Sequence, residues 1–175
     1  HPGAASAAIF ALLGQDPRFR VDAGGVWRIE EELQGPRLRD LRYAVVDVET
    51  TGGGPHRGHR ITEIAVIHVD QGRITGEYAT LVNPGRSIPP VVSALTGITA
   101  EMVDSAPFFE HIAEEVRKRL EGRVFVAHNA PFDWGFVRAE LNQALGDAPE
   151  PNRLCTVKMA RGLLPSLPRR NLDAL

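Results

Sequence analysis

The sequence has one cysteine and no long apolar run. Cys155 has no second cysteine among the 175 residues with which to pair, so an internal disulfide is excluded and an oxidising compartment is not required. No apolar stretch approaches the roughly 20 residues that are needed to cross a bilayer. We therefore expect a cytoplasmic protein that has no membrane partner.

Neither sign of charge is in large excess. The chain has 20 lysines and arginines against 22 acidic residues, which gives a formal net charge of −2. A protein that coats nucleic acid non-specifically needs a strong positive field, so that class is disfavoured. A protein that grips one chain end in a small acidic, metal-loaded cleft remains compatible with this charge. The 43% hydrophobic content is ordinary for a globular domain with a buried core.

The apolar patterns predict a small N-terminal appendage and one α/β domain. Residues 1–30 combine a short helix over 5–13 with a hairpin whose strands flank Asp22–Gly25, an arrangement similar to a partial winged helix. The alternative is a stray helix and hairpin packed on the main domain. Residues 31–40 are charged and are broken by Gly35-Pro36, which is typical of a linker. The main domain takes residues 41–175.

Within the main domain, the patterns predict a mixed β-sheet flanked by helices. Predicted strands cover residues 41–48, 61–69, 73–82 and 124–127, and predicted helices or helical turns cover 93–97, 99–103, 108–121, 132–145 and 155–164. The first three strands are predicted to form a meander, with Asp70–Gly72 as the turn between the second and the third. The fourth strand is entirely apolar, as expected for a strand buried between helices.

Two carboxylates stand at the end of the first of these strands. Asp47 and Glu49 are two residues apart, so in a strand they point to the same face, about 6–7 Å apart along it. Two carboxylates on one face repel each other unless a cation lies between them. Oxygen ligands without histidine or cysteine favour a hard cation such as Mg²⁺ or Mn²⁺. A salt-bridged pair at a sheet edge explains this segment equally well.

A third carboxylate follows the buried strand 124–127. His128 and Asn129 end this strand, Pro131 fits the first turn of a helix, and Asp133 lies in that turn, where its carboxylate can face the strand's end. A carboxylate is also favoured there by the helix dipole alone, which is the simpler explanation. Hydrogen bonds at the strand end and the helix cap explain the polar pair equally well.

Several such segments occur in one order along the chain. They are D-V-E-T-T-G from Asp47, I-T-E-I-A-V from Ile61, A-L-T-G-I-T from Ala94, A-H-N-A-P-F-D from Ala127, L-C-T-V-K-M-A-R from Leu154 and N-L-D-A-L from Asn171. This pattern resembles the DnaQ-like 3′→5′ exonucleases of the DEDDh subgroup, a family that includes the proofreading epsilon subunit of bacterial DNA polymerase III. The resemblance spans residues 41–175.

The resemblance implies a ribonuclease-H-like fold and catalysis by two divalent metal ions, Mg²⁺ or Mn²⁺. By analogy, Asp47 bridges both ions, and Glu49 and Asp133 complete parts of their coordination. The resemblance also implies a set of residues that contact the terminal nucleotide. These are Thr50, Thr51, Leu95, Thr96, Asn129 and Phe132.

The function implied is a 3′→5′ exonuclease that releases nucleoside 5′-monophosphates from DNA 3′ ends, in proofreading or repair. Its partners are a single-stranded or frayed nucleic-acid 3′ end and a DNA polymerase subunit. Two alternatives remain open. One is an RNA-trimming exonuclease of the same family, and the other is a non-catalytic nucleic-acid-binding or scaffold domain.

The third motif of the family, a histidine followed five residues later by an aspartate, is absent. No histidine follows His128, and Asp173 has no histidine partner. Because Leu175 falls within a helix that Asn171 begins, we expect the protein to continue and to supply this motif. From residues 1–175 alone we expect weak metal binding and little turnover, since a well-placed general base contributes about 10²–10⁴-fold.

Overall fold

The computed structural model describes residues 14, 16, 18–29, 36–166, 169 and 171–172. The helix predicted over residues 5–13 and the helix that Asn171 was expected to begin are therefore not covered, because they lie largely or wholly outside the described residues. The chain divides into two compact units, His1–Arg37 and Leu38–Leu175. The predicted three-part division of the chain stays a prediction.

The described part of the first unit is a β-hairpin of two short strands, β1 (Phe19–Val21) and β2 (Trp27–Ile29). The strands are antiparallel, as predicted, and the turn between them is built on Asp22. Its carboxylate oxygen Oδ1 accepts the backbone N–H groups of Gly24 and Val26, both at 3.0 Å. This arrangement is the local bonding by which aspartate stabilises tight turns.

The second unit is an α/β domain, which confirms the predicted fold class. Two short 3₁₀ turns, Leu38–Asp40 and Pro55–Arg57, accompany the strands and helices. In chain order the elements are β3 (Arg42–Thr50), β4 (Ile61–Asp70), β5 (Arg73–Leu81), α1 (Pro90–Thr96), α2 (Ala100–Asp104), α3 (Phe109–Leu120), β6 (Val124–Ala127), α4 (Ala130–Leu145), β7 (Arg153–Cys155) and α5 (Thr156–Leu163).

These strands form one mixed sheet in the order β5-β4-β3-β6-β7. The pairs β5–β4 and β4–β3 are antiparallel, whereas β3–β6 and β6–β7 are parallel. Strand β7 was not predicted, because three residues between a proline-rich loop and a helix carry no periodic pattern. Helix α4 begins at Ala130 with Pro131 in its first turn, slightly earlier than predicted and consistent with the fixed φ of proline.

The core lies between the sheet and helices α3 and α4. On β3, the buried residues Ala44, Val46 and Val48 alternate with more exposed ones, so one face of the strand packs inward. The helices contribute buried apolar side chains that include Val116 of α3 and Leu141 of α4. Burial of such side chains contributes about 1.5–3 kcal/mol each and fixes the register of the strand.

The parallel pairing brings three strand ends to one edge of the sheet. Strands β3, β6 and β7 run in the same direction, so their last residues, Thr50, Ala127 and Cys155, face the same edge. In open α/β sheets, ligands bind outside such carboxyl ends. No helix in the described part of the chain is long and apolar enough to cross a membrane.

Candidate active site

Asp47 and Glu49 lie near the C-terminal end of β3. They alternate with the buried Val46 and Val48, so both carboxylates lie on the face away from the core. Their spacing predicted that they share one face of the strand. Asp47 is exposed, and Glu49 is half-buried. The strand thereby presents two acids side by side near the edge where β6 also ends.

Glu49 lies in an environment that disfavours its charge. It is paired directly across the antiparallel ladder with Glu63 of β4. Partial burial raises the pKa of Glu49, and the negative charges of Asp47 and Glu63 raise it further. The three acids therefore form a region of negative potential that a cation would stabilise.

Asp133 is buried in the first turn of α4, with only 3% of its surface exposed. Its oxygen Oδ2 has no hydrogen-bond partner. Burial raises the pKa of Asp133 from 3.8 to about 6; the charges of Asp47 and Glu49 add to the rise, and the backbone N–H groups of Asp133 and Val48 oppose it. The helix N-terminus thus carries a carboxylate that is close to the two strand acids and lacks a full set of partners.

Asp47, Glu49 and Asp133 offer the carboxylate oxygens that hard divalent cations prefer, although these oxygens are not arranged as a complete coordination site. Among the residues that the structure describes, no group of three or more His, Cys, Asp or Glu side chains is arranged so that it could hold a metal ion. The orphaned Oδ2 of Asp133, within charge range of Asp47 and Glu49, is the observation that favours a cation.

A β-bulge lies directly at the site. Glu49 pairs with Glu63, but the next residue, Thr50, pairs with Ile61, so Thr62 of β4 has no counterpart on β3. Thr62 is buried, and its hydroxyl has no hydrogen-bond partner. Bulges bend a strand, increase its twist and are frequent beside active sites, where they re-aim a side chain. Here the bulge follows immediately after Glu49.

The two threonines predicted to contact a nucleotide serve the loop between β3 and β4. Thr51 is fully buried; its hydroxyl accepts the Arg60 N–H at 3.1 Å and lies 3.2 Å from Nδ1 of His59. The Thr50 hydroxyl donates to the Gly52 carbonyl at 2.7 Å. A direct contact of Thr51 with a nucleotide would therefore require the loop to move.

The same loop contains a close approach that only glycine allows. A Cβ atom on Gly52 would lie 2.3–2.6 Å from three atoms of the His59 ring, whereas a Cβ on Gly53 would meet nothing within 4 Å. We expect Gly52→Ala to destabilise the protein by about 1–3 kcal/mol, because the imidazole must be displaced. Gly53→Ala is the matched control, and denaturant unfolding measures both. Equal unfolding midpoints would contradict this packing of His59.

Asn129 and Phe132 lie at the corner between β6 and α4. Asn129 is exposed and adopts a left-handed conformation with φ of 71°, and its side chain does not cap the helix. Such a conformation is unusual for a residue other than glycine and is enriched at functional sites. Phe132 is half-buried, with its ring 5.1 Å from that of Phe136. Both are near Asp133 in sequence, and the amide of Asn129 is not used by the helix end.

Leu95 and Thr96 lie on α1, which follows β5. Leu95 is 85% exposed. The Thr96 hydroxyl donates to the Val92 carbonyl at 3.0 Å and accepts the Ile98 N–H at 3.1 Å. Thr96 thus completes the end of its own helix, and within the described residues no hydrogen bond joins it to the three carboxylates.

Sequence reasoning missed several contacts at this edge. Nδ1 of His128 lies 2.8 Å from the Thr156 hydroxyl, and this contact joins the ends of β6 and β7. Glu140, only 4% exposed, forms a bidentate ion pair with Arg60, with both distances 2.7 Å. Glu140 follows Asp133 by two helical turns, so it lies on the same face of α4. An acid on an otherwise buried helix face was the signal that could have found it.

Comparison with known proteins adds a family to this geometry. The RNase_T exonuclease family profile matches residues 44–175. The chain is 42% identical over 138 residues to the 3′-5′ exonuclease DinG of Bacillus subtilis, and 39% identical over 148 residues to a DNA polymerase III subunit epsilon-like protein of Rhodobacter capsulatus. These alignments cover 79% and 83% of this chain but 15% and 21% of the relatives. The chain therefore spans less than a quarter of their length.

A solved structure gives the same result for the fold. Exonuclease X, determined in complex with 5′ overhanging duplex DNA, is 33% identical and superposes with a TM-score of 0.59. The superposition covers 77% of this chain and 70% of that one. The sheet and helices described above are therefore those of a ribonuclease-H-like exonuclease domain.

Proposed function

Because the chain belongs to the RNase_T exonuclease family, as the DnaQ-like resemblance of its motifs predicted, we propose that it is a metal-dependent 3′→5′ exonuclease that releases nucleoside 5′-monophosphates from DNA 3′ ends. The observation that carries this proposal is the orphaned, buried Oδ2 of Asp133 beside the charges of Asp47 and Glu49. A buried carboxylate oxygen that has no partner is costly unless a cation accompanies it.

In this proposal Asp47, Glu49 and Asp133 hold two divalent ions, Mg²⁺ or Mn²⁺. Ions held there would polarise the scissile phosphodiester and stabilise the charge on the departing 3′ oxygen. The contribution of the chain is to keep three carboxylates at the end of a rigid sheet and helix, so that the phosphodiester meets a fixed arrangement of charge.

Asn129 and Phe132 are proposed to hold the terminal nucleotide. The exposed amide of Asn129 offers hydrogen bonds that the helix end does not use, and the half-buried ring of Phe132 offers a surface for the base or sugar. Stacking on an aromatic ring tolerates every base, which suits an enzyme that removes whichever nucleotide is last. The exposed Leu95 of α1 is a further candidate for contact with terminal bases, together with Thr96.

DNA is the favoured substrate because of two relatives. Exonuclease X was solved with a duplex bearing a 5′ overhang, which is a duplex whose other strand has a recessed 3′ end. The epsilon-like relative supports a proposed association with a DNA polymerase and hence a proofreading or repair role. The DinG relative is a 3′-5′ exonuclease, and we propose the same 3′→5′ polarity for this chain.

The test is degradation of 5′-labelled single-stranded DNA and RNA by the full-length gene product with Mg²⁺ or Mn²⁺. We expect a ladder of DNA products shortened from the 3′ end, nucleoside 5′-monophosphates as the released product, and no reaction with a chelator. If RNA alone is shortened, the RNA-trimming alternative replaces the DNA enzyme. If neither strand is shortened while both are bound, the chain is a non-catalytic binding domain and the proposal fails.

A further inference from the structure

The ion pair between Arg60 and Glu140 joins the loop that follows β3, the strand of Asp47 and Glu49, to α4, the helix of Asp133. Glu140 lies on the same face of α4 as Asp133, and Arg60 is the last residue of the loop that follows Glu49 and Thr50. The guanidinium donates through Nε and Nη2 to the two carboxylate oxygens, each at 2.7 Å. Bidentate pairs of this kind fix geometry as well as charge.

The backbone of Arg60 carries this connection to the end of β3. Its carbonyl accepts the Thr51 N–H at 2.9 Å, and its N–H donates to the Thr51 hydroxyl at 3.1 Å. Thr51 is fully buried, so these bonds are shielded from water. A chain of short contacts therefore runs from α4 through Arg60 to Thr51, two residues after Glu49.

Glu140 also bonds the backbone at the β-bulge. Its Oε1 accepts the Ile61 N–H at 3.3 Å, and Ile61 is the residue that pairs with Thr50 beyond the unmatched Thr62. The carboxylate is 4% exposed and accepts all three hydrogen bonds from the same strand end. The bulge that follows Glu49 is thus held against the helix that carries Asp133.

We propose that Arg60 and Glu140 are a positioning pair for the metal site, which sets the separation of Asp133 from Glu49 and Asp47. The inference rests on the proposed function, because it assigns these two residues a role in cation binding. It assigns them no contact with substrate. Groups that orient metal ligands typically change metal affinity or activity about 10- to 100-fold when they are removed.

The structure provides a matched control at the other end of β4. Arg123 and Asp70 form a second bidentate, partly buried pair, in which Nη1 donates to Oδ1 and Nη2 donates to Oδ2 at 3.2 Å. Asp70 is the last residue of β4, whereas Ile61 is the first. Loss of either pair weakens the fold, but only loss of the Arg60–Glu140 pair should affect the carboxylates.

The experiment compares Glu140→Gln, Arg60→Lys and Asp70→Asn in the full-length gene product. Mn²⁺ binding is measured by calorimetry, and thermal unfolding is measured without metal. We expect Glu140→Gln to weaken Mn²⁺ binding about 10- to 100-fold and to lower kcat with little change in KM for single-stranded DNA. Arg60→Lys keeps the charge and should retain part of the affinity, and Asp70→Asn should unfold at lower temperature but bind Mn²⁺ normally.

The outcomes separate this inference from the proposed function. If the unsubstituted protein binds Mn²⁺ and degrades DNA but Glu140→Gln binds Mn²⁺ as well as Asp70→Asn does, the positioning role is overturned and the proposed function stands. If the unsubstituted protein neither binds Mn²⁺ nor degrades DNA, both fail. Should Glu140→Gln not fold, the comparison of Arg60→Lys with Asp70→Asn decides, and equal Mn²⁺ affinities overturn the inference.

Discussion

Replacing Asp47 by asparagine in the full-length gene product should lower the rate of DNA degradation by about 10²–10³-fold or more, the loss that follows removal of one preorganised electrostatic group. Asp47 is exposed on β3, and its charge raises the pKa of both Glu49 and Asp133, so it belongs to the same cluster of charge as the other two acids. Asparagine keeps the size and one oxygen but removes the charge that a divalent cation needs. Rates on 5′-labelled single-stranded DNA at saturating Mg²⁺ measure the effect.

The control for Asp47→Asn is Glu77→Gln, which neutralises an exposed acid on β5. Both variants change the net charge by the same amount, so a general electrostatic effect on DNA binding would appear in both. The folded state should be retained in each, because neither side chain is buried. A variant at Asp47 that degrades DNA as fast as the control would show that the three acids are not the catalytic centre.

Replacing Asp133 by asparagine should make the metal-free protein more stable at pH 8 while it removes the nuclease activity. The folded-state pKa of about 6 lies above the ordinary 3.8, so the folded protein binds more protons than the unfolded chain between about pH 4 and pH 6. The stability of the metal-free protein therefore falls as the pH rises through this window. Above this pH window, the ionised Asp133 carboxylate lowers the free energy of unfolding by on the order of 3 kcal/mol, and asparagine avoids this loss.

Urea unfolding at pH 4.5 and pH 8 with a chelator tests this expectation. The gain in free energy of unfolding from Asp133→Asn should be large at pH 8 and small at pH 4.5, and added Mn²⁺ should stabilise the unsubstituted protein but not Asp133→Asn. Asp70→Asn should instead be less stable than the unsubstituted protein at neutral pH, because hydrogen bonds from Arg123 hold the pKa of Asp70 below its ordinary value. If Asp133→Asn is no more stable than the unsubstituted protein at pH 8, Oδ2 of Asp133 already has a partner and the argument for a cation fails.

Local patterns were enough to place the three acids. Asp47 and Glu49 were assigned to one face because side chains in a strand alternate, and the structure has them so. Asp133 was assigned to the first turn of a helix after a buried strand because Pro131 and the apolar run set that boundary. Their roles in binding metal stay a prediction.

Long-range contacts could not be predicted in the same way. The Arg60–Glu140 pair joins residues far apart in the chain, and no periodicity links them. The bulge at Thr62 depends on how β4 aligns with β3, and β7 exists because β6 offers it a partner. The burial of Thr51 depends on how the loop between β3 and β4 folds. Each depends on tertiary context, which overrides local preference.

The parallel pairing of β3 with β6 also determines when the carboxylates Asp47, Glu49 and Asp133 can first come together during synthesis of the chain. Tyr43 meets Val124 only after the β4–β5 hairpin and three helices have been made, and Asp133 emerges from the ribosome later still. Contacts between distant parts of a chain form late, because the ends of a long loop must first be brought together. A nascent chain that stops short of α4 should accordingly have no nuclease activity, whatever part of the sheet it has already formed.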